Sequence, residues 1–240
     1  MKSADNFYQG DASKWRKFAN SLMLRVAMRM SKVDPAAAEQ WVKTAVANGV
    51  FESDADNCML MHAGGLTTND FSEPYAKIYS HEDRGNFFLT KYFVDLLKST
   101  NDPRLSLIGT VCEEPTISVQ AGSDFQYGNS DPAVQKGLPS GFSDSPDSPW
   151  FVGNKYPEFK DEDYRSTYRS RYSTINRYTY SDSTGPTFVC TYAQTQLLLA
   201  EAAVRGWVDG SAQTYYENGV RAACGSSHSS PTARRCIISI

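Results

Sequence analysis

Residues 13–30, SKWRKFANSLMLRVAMRM, set Trp15, Phe18, Ala19, Leu22, Val26 and Met30 at helical spacing, with Lys14, Arg16, Lys17, Arg25 and Arg29 on the other faces. A stripe of that period belongs to an amphipathic helix packed along one side. Asp11 or Ser13 stands where a side-chain oxygen can accept from the unpaired N–H groups of the first turn. Asp34-Pro35 opens a second helix, because Asp caps and Pro tolerates the first helical position. Its stripe is Ala38, Trp41, Val42, Ala45 and Val46, and Asn48-Gly49 supplies a left-handed stop.

Two such helices joined by a few residues make an antiparallel hairpin the size of a tetratricopeptide unit. A third helix is expected over residues 87–98, with Leu89, Tyr92, Phe93, Leu96 and Leu97 as its stripe and Asn101-Asp102-Pro103 as its end. A second hairpin follows late in the chain. Residues 191–204 are rich in Ala, Leu, Gln and Glu, all strong helix formers. After the turn Trp207-Val208-Asp209-Gly210, Ser211 caps a last helix with Ala212, Tyr215, Tyr216, Gly219, Val220 and Ala223 on one face. The small residues Ala202, Ala203, Ala222 and Ala223 fit close helix packing. The fold class is therefore mainly α, built from tetratricopeptide-like helical hairpins around a long irregular stretch. That stretch, residues 112–186, is dense in Gly, Ser, Pro, Asp and Tyr. A loop of such length is usually functional, and short strands are expected at 116–119 and 174–180. The tail, residues 225–240 (GSSHSSPTARRCIISI), has no cap and no stripe and reads as disordered or aberrant.

The chain has 240 residues, 24 Lys+Arg against 27 Asp+Glu, and a net charge of −3. With a pI near 5.7 it lacks the concentrated positive field a nucleic-acid binder needs, so no nucleic-acid partner is expected. Mean hydropathy is −0.47, and no run of apolar residues is long enough to span a membrane. The five cysteines, Cys58, Cys112, Cys190, Cys224 and Cys236, form no C-x-x-C pair. A zinc ribbon and a disulfide framework are therefore not expected. Cys190 and Cys224 fall in stretches that read as helix, as small core residues.

Motifs of catalysis are missing: there is no G-x-S-x-G, H-E-x-x-H, G-x-G-x-x-G or phosphate-binding loop. No catalytic residue, metal ligand or cofactor is assigned. His62 and His81 read as surface or hydrogen-bonded residues. Carboxylates at Glu113-Glu114, Asp144, Asp147 and Asp161-Glu162-Asp163 are the candidates for an enzyme acting on carbohydrate, which needs two such groups facing across a bond. Adjacent acids more often form a solvated loop. Aromatic residues say more. Trp150, Phe151, Tyr156, Phe159, Tyr164, Tyr168, Tyr172, Tyr178, Tyr180, Phe188 and Tyr192 crowd one segment, with Arg165, Arg169, Arg171 and Arg177 among them. Flat rings stack on the apolar faces of sugars while Arg and Asp bond the hydroxyls. Most of these rings anchor the loop to the helices; the ligand contacts are expected at Trp150, Phe151, Tyr156, Tyr164 and Arg165.

Residues 5–30, DNFYQGDASKWRKFANSLMLRVAMRM, closely resemble the signature helix of the SusD/RagB family, the SusD-like outer-membrane lipoproteins of Bacteroidetes. Asn101-Asp102-Pro103-Arg104-Leu105 resembles its helix-ending step, and Gly137-Leu138-Pro139-Ser140-Gly141 its Gly-rich loop. Tyr172-Ser173-Thr174-Ile175-Asn176-Arg177, FVCTYAQTQLLLAEAAVRGW (188–207) and YYENGVRAA (215–223) resemble the later blocks in the same order. The resemblance implies a non-enzymatic, surface-exposed lipoprotein that captures an oligosaccharide or polysaccharide for a SusC-like TonB-dependent outer-membrane transporter. It also implies that residues 1–224 form a partial SusD-like domain, with scaffold at 11–105 and 188–224 and ligand region at 112–186. The family's signal peptide, anchoring Cys and earlier helices are absent from this chain, which resembles roughly the later half of a member. A half-scaffold would leave the Trp15/Phe18/Leu22 or Tyr215/Val220 face partly uncovered, and marginal stability or self-association is expected. A carbohydrate-active enzyme and a helical-repeat scaffold for a protein partner are the competing readings.

Overall fold

In the computed structural model, which describes residues 4–64, 74, 88–112, 128–141, 147–155, 172–176 and 183–226, the first helix starts at Asp11. The Asp11 carboxylate accepts from the N–H groups of Ser13 and Lys14, and α1 runs from Ala12 to Met30. Helix α2 (Pro35–Ala47) begins with Asp34 accepting from Ala37 N–H and Pro35 in the first turn. Gly49 then takes φ +91°, the left-handed conformation its sequence position predicts. The chain divides into two units, residues 1–62 with 186–240 and residues 63–185.

In the first unit, α1 does not bury the face its apolar stripe predicts. Asn20, Ser21, Leu24, Ala27 and Met28 are buried, whereas Trp15 is 38% and Val26 54% exposed. The reason is backbone satisfaction at the hairpin. Asn20 Nδ2 donates to the carbonyls of Asn48 (3.0 Å) and Gly49 (2.8 Å), and Ser21 Oγ accepts from Phe51 N–H (2.9 Å). Groups past a helix end need such partners when buried. The displaced stripe lines an open groove of about 340 Å³ formed by Ala19, Leu22, Met23, Val26, Ala27, Met30 and Trp41.

Helices α6 (Tyr192–Val204) and α7 (Ala212–Ser226) form the second hairpin of this unit. Thr191 Oγ1 accepts from Gln194 N–H and Asn57 Oδ1 from Tyr192 N–H, so the start of α6 is tied to the chain after α2. Gly219 lets α7 approach α6, because a Cβ there would lie 2.8 Å from Leu197 Cγ. Leu24, Ala27, Met28, Val42, Ala45, Val50, Leu199 and Ala202 make the core. Beside it β1 (Cys58–Leu60) pairs antiparallel with β5 (Thr187–Cys190). Cys190 is thus a strand residue and not part of the helix expected there. It pairs across β1, and the helix cannot start before its cap at Thr191. Cys224 does lie in α7.

Ahead of α1, the Asp5 carboxylate gathers four donors. Trp15 Nε1 (2.7 Å) and Gly10 N–H (2.8 Å) meet one oxygen, Phe7 N–H (3.0 Å) and Tyr8 N–H (3.2 Å) the other. The bond from Trp15, opposed by slight desolvation and helped by the backbone donors, lowers the Asp5 pKa to about 2 from 3.8. A carboxylate depressed in the folded state stabilises above its unfolded pKa and loses that contribution as pH falls through the folded value. The N-terminal turn is therefore expected to stay closed above about pH 4 and open between about pH 4 and 2. Fluorescence of Trp15 should report this against a Trp15→Phe background, and Asp5→Asn should abolish the transition; an unchanged transition would refute the assignment.

The second unit holds α3 (Lys91–Ser99), α4 (Leu105–Ile108) and α5 (Val152–Lys155), with a sheet ordered β3 (Gly128–Asn129), β2 (Gly109–Cys112), β4 (Ser173–Ile175). Both pairings in that sheet are antiparallel. Helix α3 was expected in the scaffold and from residue 87. It lies in this unit and begins at Thr90, whose Oγ1 accepts from Phe93 N–H. Its buried face is Val94 and Leu97, leaving Tyr92 78% exposed. The strand expected at 174–180 is met by β4 at Thr174 and Ile175 and has ended at Asn176; residues 177–180 and the strand expected at 116–119 lie outside the described residues. Among the described residues, no helix is long and apolar enough to cross a membrane.

Candidate ligand-binding site

The frame of the second unit is sewn by residues 135–138. Ser173 N–H donates to the Lys136 carbonyl (2.7 Å), Lys136 N–H to Ser173 Oγ (2.9 Å) and Leu89 N–H to the Ser173 carbonyl (2.7 Å). Leu138 N–H donates to Leu89 O and Lys91 N–H to Leu138 O, each at 2.8 Å. Gln135 is buried and its Nε2 reaches the carbonyls of Gly109 (3.0 Å) and Asn129 (3.3 Å). Tyr172 is fully buried, edge-on to Phe88, with Lys136 Nζ 5.1 Å from its ring centre.

Trp150 and Phe151 sit in one turn of this unit. Ser148 Oγ accepts from Trp150 N–H (3.2 Å) and the Ser148 carbonyl from Phe151 N–H (3.0 Å), which fixes the backbone ahead of α5. The two rings then part. Phe151 is 5% exposed and Trp150 70%. A buried phenyl beside an exposed indole is an anchor and a platform: the indole offers a flat apolar face and one N–H donor, the chemistry that grips a polar ring with a non-polar side. Tyr156, Tyr164 and Arg165 lie outside the described residues. Tyr92 is a second exposed ring of the unit. It belongs to the apolar stripe expected of α3, and the burial of Val94 and Leu97 turns it outward.

A separate open depression of about 430 Å³ is lined by Leu97, Lys98, Asn101, Asp102, Pro103, Leu105, Pro132 and Ala133. The Arg104 guanidinium holds the Asp102 carboxyl below its ordinary range, and this lining contains no aromatic ring. Of the carboxylates considered for catalysis, Asp147 is exposed and the others lie outside the described residues. Among the described residues, no group of three His, Cys, Asp or Glu converges as a metal site would require.

Compared with known proteins, residues 1–230 match the SusD-like family model described as starch-binding and associating with the outer membrane. The chain is similar to a solved chitin-binding protein at 32% identity and a TM-score of 0.66, covering 93% of this chain and 42% of that one. It is similar to a Bacteroidetes SusD-like protein, AC2a, at 25% identity and a TM-score of 0.73, covering 94% and 49%. A SusD homologue from Bacteroides fragilis matches at 26% identity and a TM-score of 0.64, covering 95% and 44%. The chain thus spans less than half the length of these structures. No curated protein matches it.

Proposed function

Because the chain belongs to the SusD-like family, we propose that it is part of a glycan-binding protein of the outer membrane. Its second unit would hold an oligosaccharide or polysaccharide without cleaving it. The observation that carries this reading is the Ser148 turn, which exposes the Trp150 ring while the adjacent Phe151 is buried. Starch-binding in the family description and chitin-binding in a similar structure support a glycan as the ligand class. On the same reading the whole protein is a surface lipoprotein that hands its ligand to a SusC-like TonB-dependent transporter. Tyr156, Tyr164 and Arg165, close to Trp150 in sequence, are proposed to complete the contact.

Native affinity electrophoresis across soluble polysaccharides, with reducing ends assayed in the same samples, tests this. One glycan should retard the protein and no new reducing ends should form. Trp150→Ala should weaken that retardation about tenfold, since one aromatic stacking contact of about 1.4 kcal/mol corresponds to that factor. New reducing ends would favour a hydrolase. Unchanged binding by the variant would move the site away from this turn.

A further inference from the structure

The β1–β5 pair sets Cys58 directly opposite Cys190. Opposed residues of an antiparallel pair project to the same face, with Cα atoms about 4.5–5.5 Å apart. That falls inside the roughly 4.4–6.8 Å a disulfide spans. Both side chains are 2% exposed and belong to one buried cluster with Tyr8 and Phe51. The irregularity in register between Cys58 and Met59 adds local twist beside the pair. Cys58 and Cys190 are free thiols in this structure, as is Cys224, which is half-buried on α7.

We propose that Cys58 and Cys190 close a structural disulfide across β1 and β5 when the chain folds in an oxidising compartment. The compartment follows from the proposed outer-membrane placement, since disulfides persist outside the cytosol; the bond itself depends only on the register. The oxidant is an external disulfide. One cysteine thiolate attacks a sulfur of that disulfide, forming a mixed disulfide and expelling one thiolate. The second cysteine then attacks the protein sulfur and expels the other. The two electrons reduce the external disulfide to two thiols, which also carry away the two protons. Burial pushes both cysteines up from their ordinary range, and the charge of Cys58 adds to the rise at Cys190 against the opposing pull of Arg25. The closed core therefore holds little thiolate, and the exchange belongs to the folding chain before the cluster with Tyr8 and Phe51 shuts.

The full chain is refolded in oxidised and reduced glutathione, quenched with an alkylating reagent and digested with trypsin. Cys58 falls in the peptide 44–77 and Cys190 in 178–205, each the one cysteine of its peptide. The expected product is these two peptides joined, lighter by two hydrogens than their sum. Reduction of the folded protein should lower its Tm by about 5–15 °C, as for a cross-link closing a loop of this length, and should leave the Tm of Cys58→Ala and Cys190→Ala unchanged. Recovery of both peptides singly alkylated, capped by glutathione, or joined to peptides of Cys112, Cys224 or Cys236 would overturn the proposal. Neither result depends on whether the protein binds a glycan.

Discussion

Gly137→Ala is expected to destabilise the second unit by about 3–5 kcal/mol, from overpacking of about 1–3 kcal/mol and the loss of backbone hydrogen bonds worth about 1 kcal/mol each. A Cβ at this position would lie 2.4 Å from the Thr90 carbonyl oxygen, 2.5 Å from its carbon and 2.6 Å from Lys91 Cα. All three are backbone atoms, so no side-chain rotation relieves the overlap. Residues 89–91 and 136–138 must move apart, which breaks the bonds from Leu138 N–H to Leu89 O and from Lys91 N–H to Leu138 O. It also disturbs the cap at Thr90 from which α3 starts. The urea midpoint should fall sharply, and amides of residues 89–94 should lose exchange protection first. An unfolding midpoint equal to that of the parent would show that the two segments are not held this close.

Leu24→Ala should cost about 2–5 kcal/mol, the range for removing a buried leucine side chain from a core that cannot collapse fully. Leu24 has no exposed surface and sits among Ala27, Met28, Val42, Ala45 and Leu199. Against a typical total of about 5–15 kcal/mol, that is a large share, and the Tm should drop by about 10 °C. Val26→Ala is the control. Val26 is 54% exposed and lines the open groove with Trp41, so its truncation should cost under about 1 kcal/mol. Thermal melts of the two variants decide which face of α1 carries the packing. The reverse order would mean that the groove is covered in solution, which also meets the expectation of self-association.

Helices with local signals were legible from the sequence. Asp11 and Asp34 each accept backbone N–H groups where the cap was expected, and Thr191, where a helix was expected to start, caps α6. What could not be read is whatever depends on a distant partner. The buried face of α1 is set by carbonyls at Asn48 and Gly49 and by the Phe51 amide, which reward Asn20 and Ser21 over Trp15 and Val26. Cys190 is a strand residue because β1 lies against it, and nothing in its own neighbourhood announces β1. The loop at 137–141 stood out by resemblance, but the reason for its glycine, contact with Thr90, is tertiary. At the candidate site, aromatic density was visible in the sequence. Which ring faces outward was not, since Trp150 and Phe151 are adjacent and differ completely in exposure. Tyr92 differs, because a stripe that includes the buried Val94 already turns it outward.

The discontinuity of the first unit sets a schedule for synthesis. Its two segments end at residue 62 and resume at 186, so the α1–α2 hairpin leaves the ribosome long before α6 exists. Leu199 and Ala202, which complete the cluster around Leu24 and Val42, come more than 150 residues after the end of α2 at Ala47. At about 5–20 residues per second the nascent hairpin waits roughly 10–30 s with that face bare. During that interval it is a substrate for chaperones, and codon choice in the intervening stretch becomes a determinant of yield.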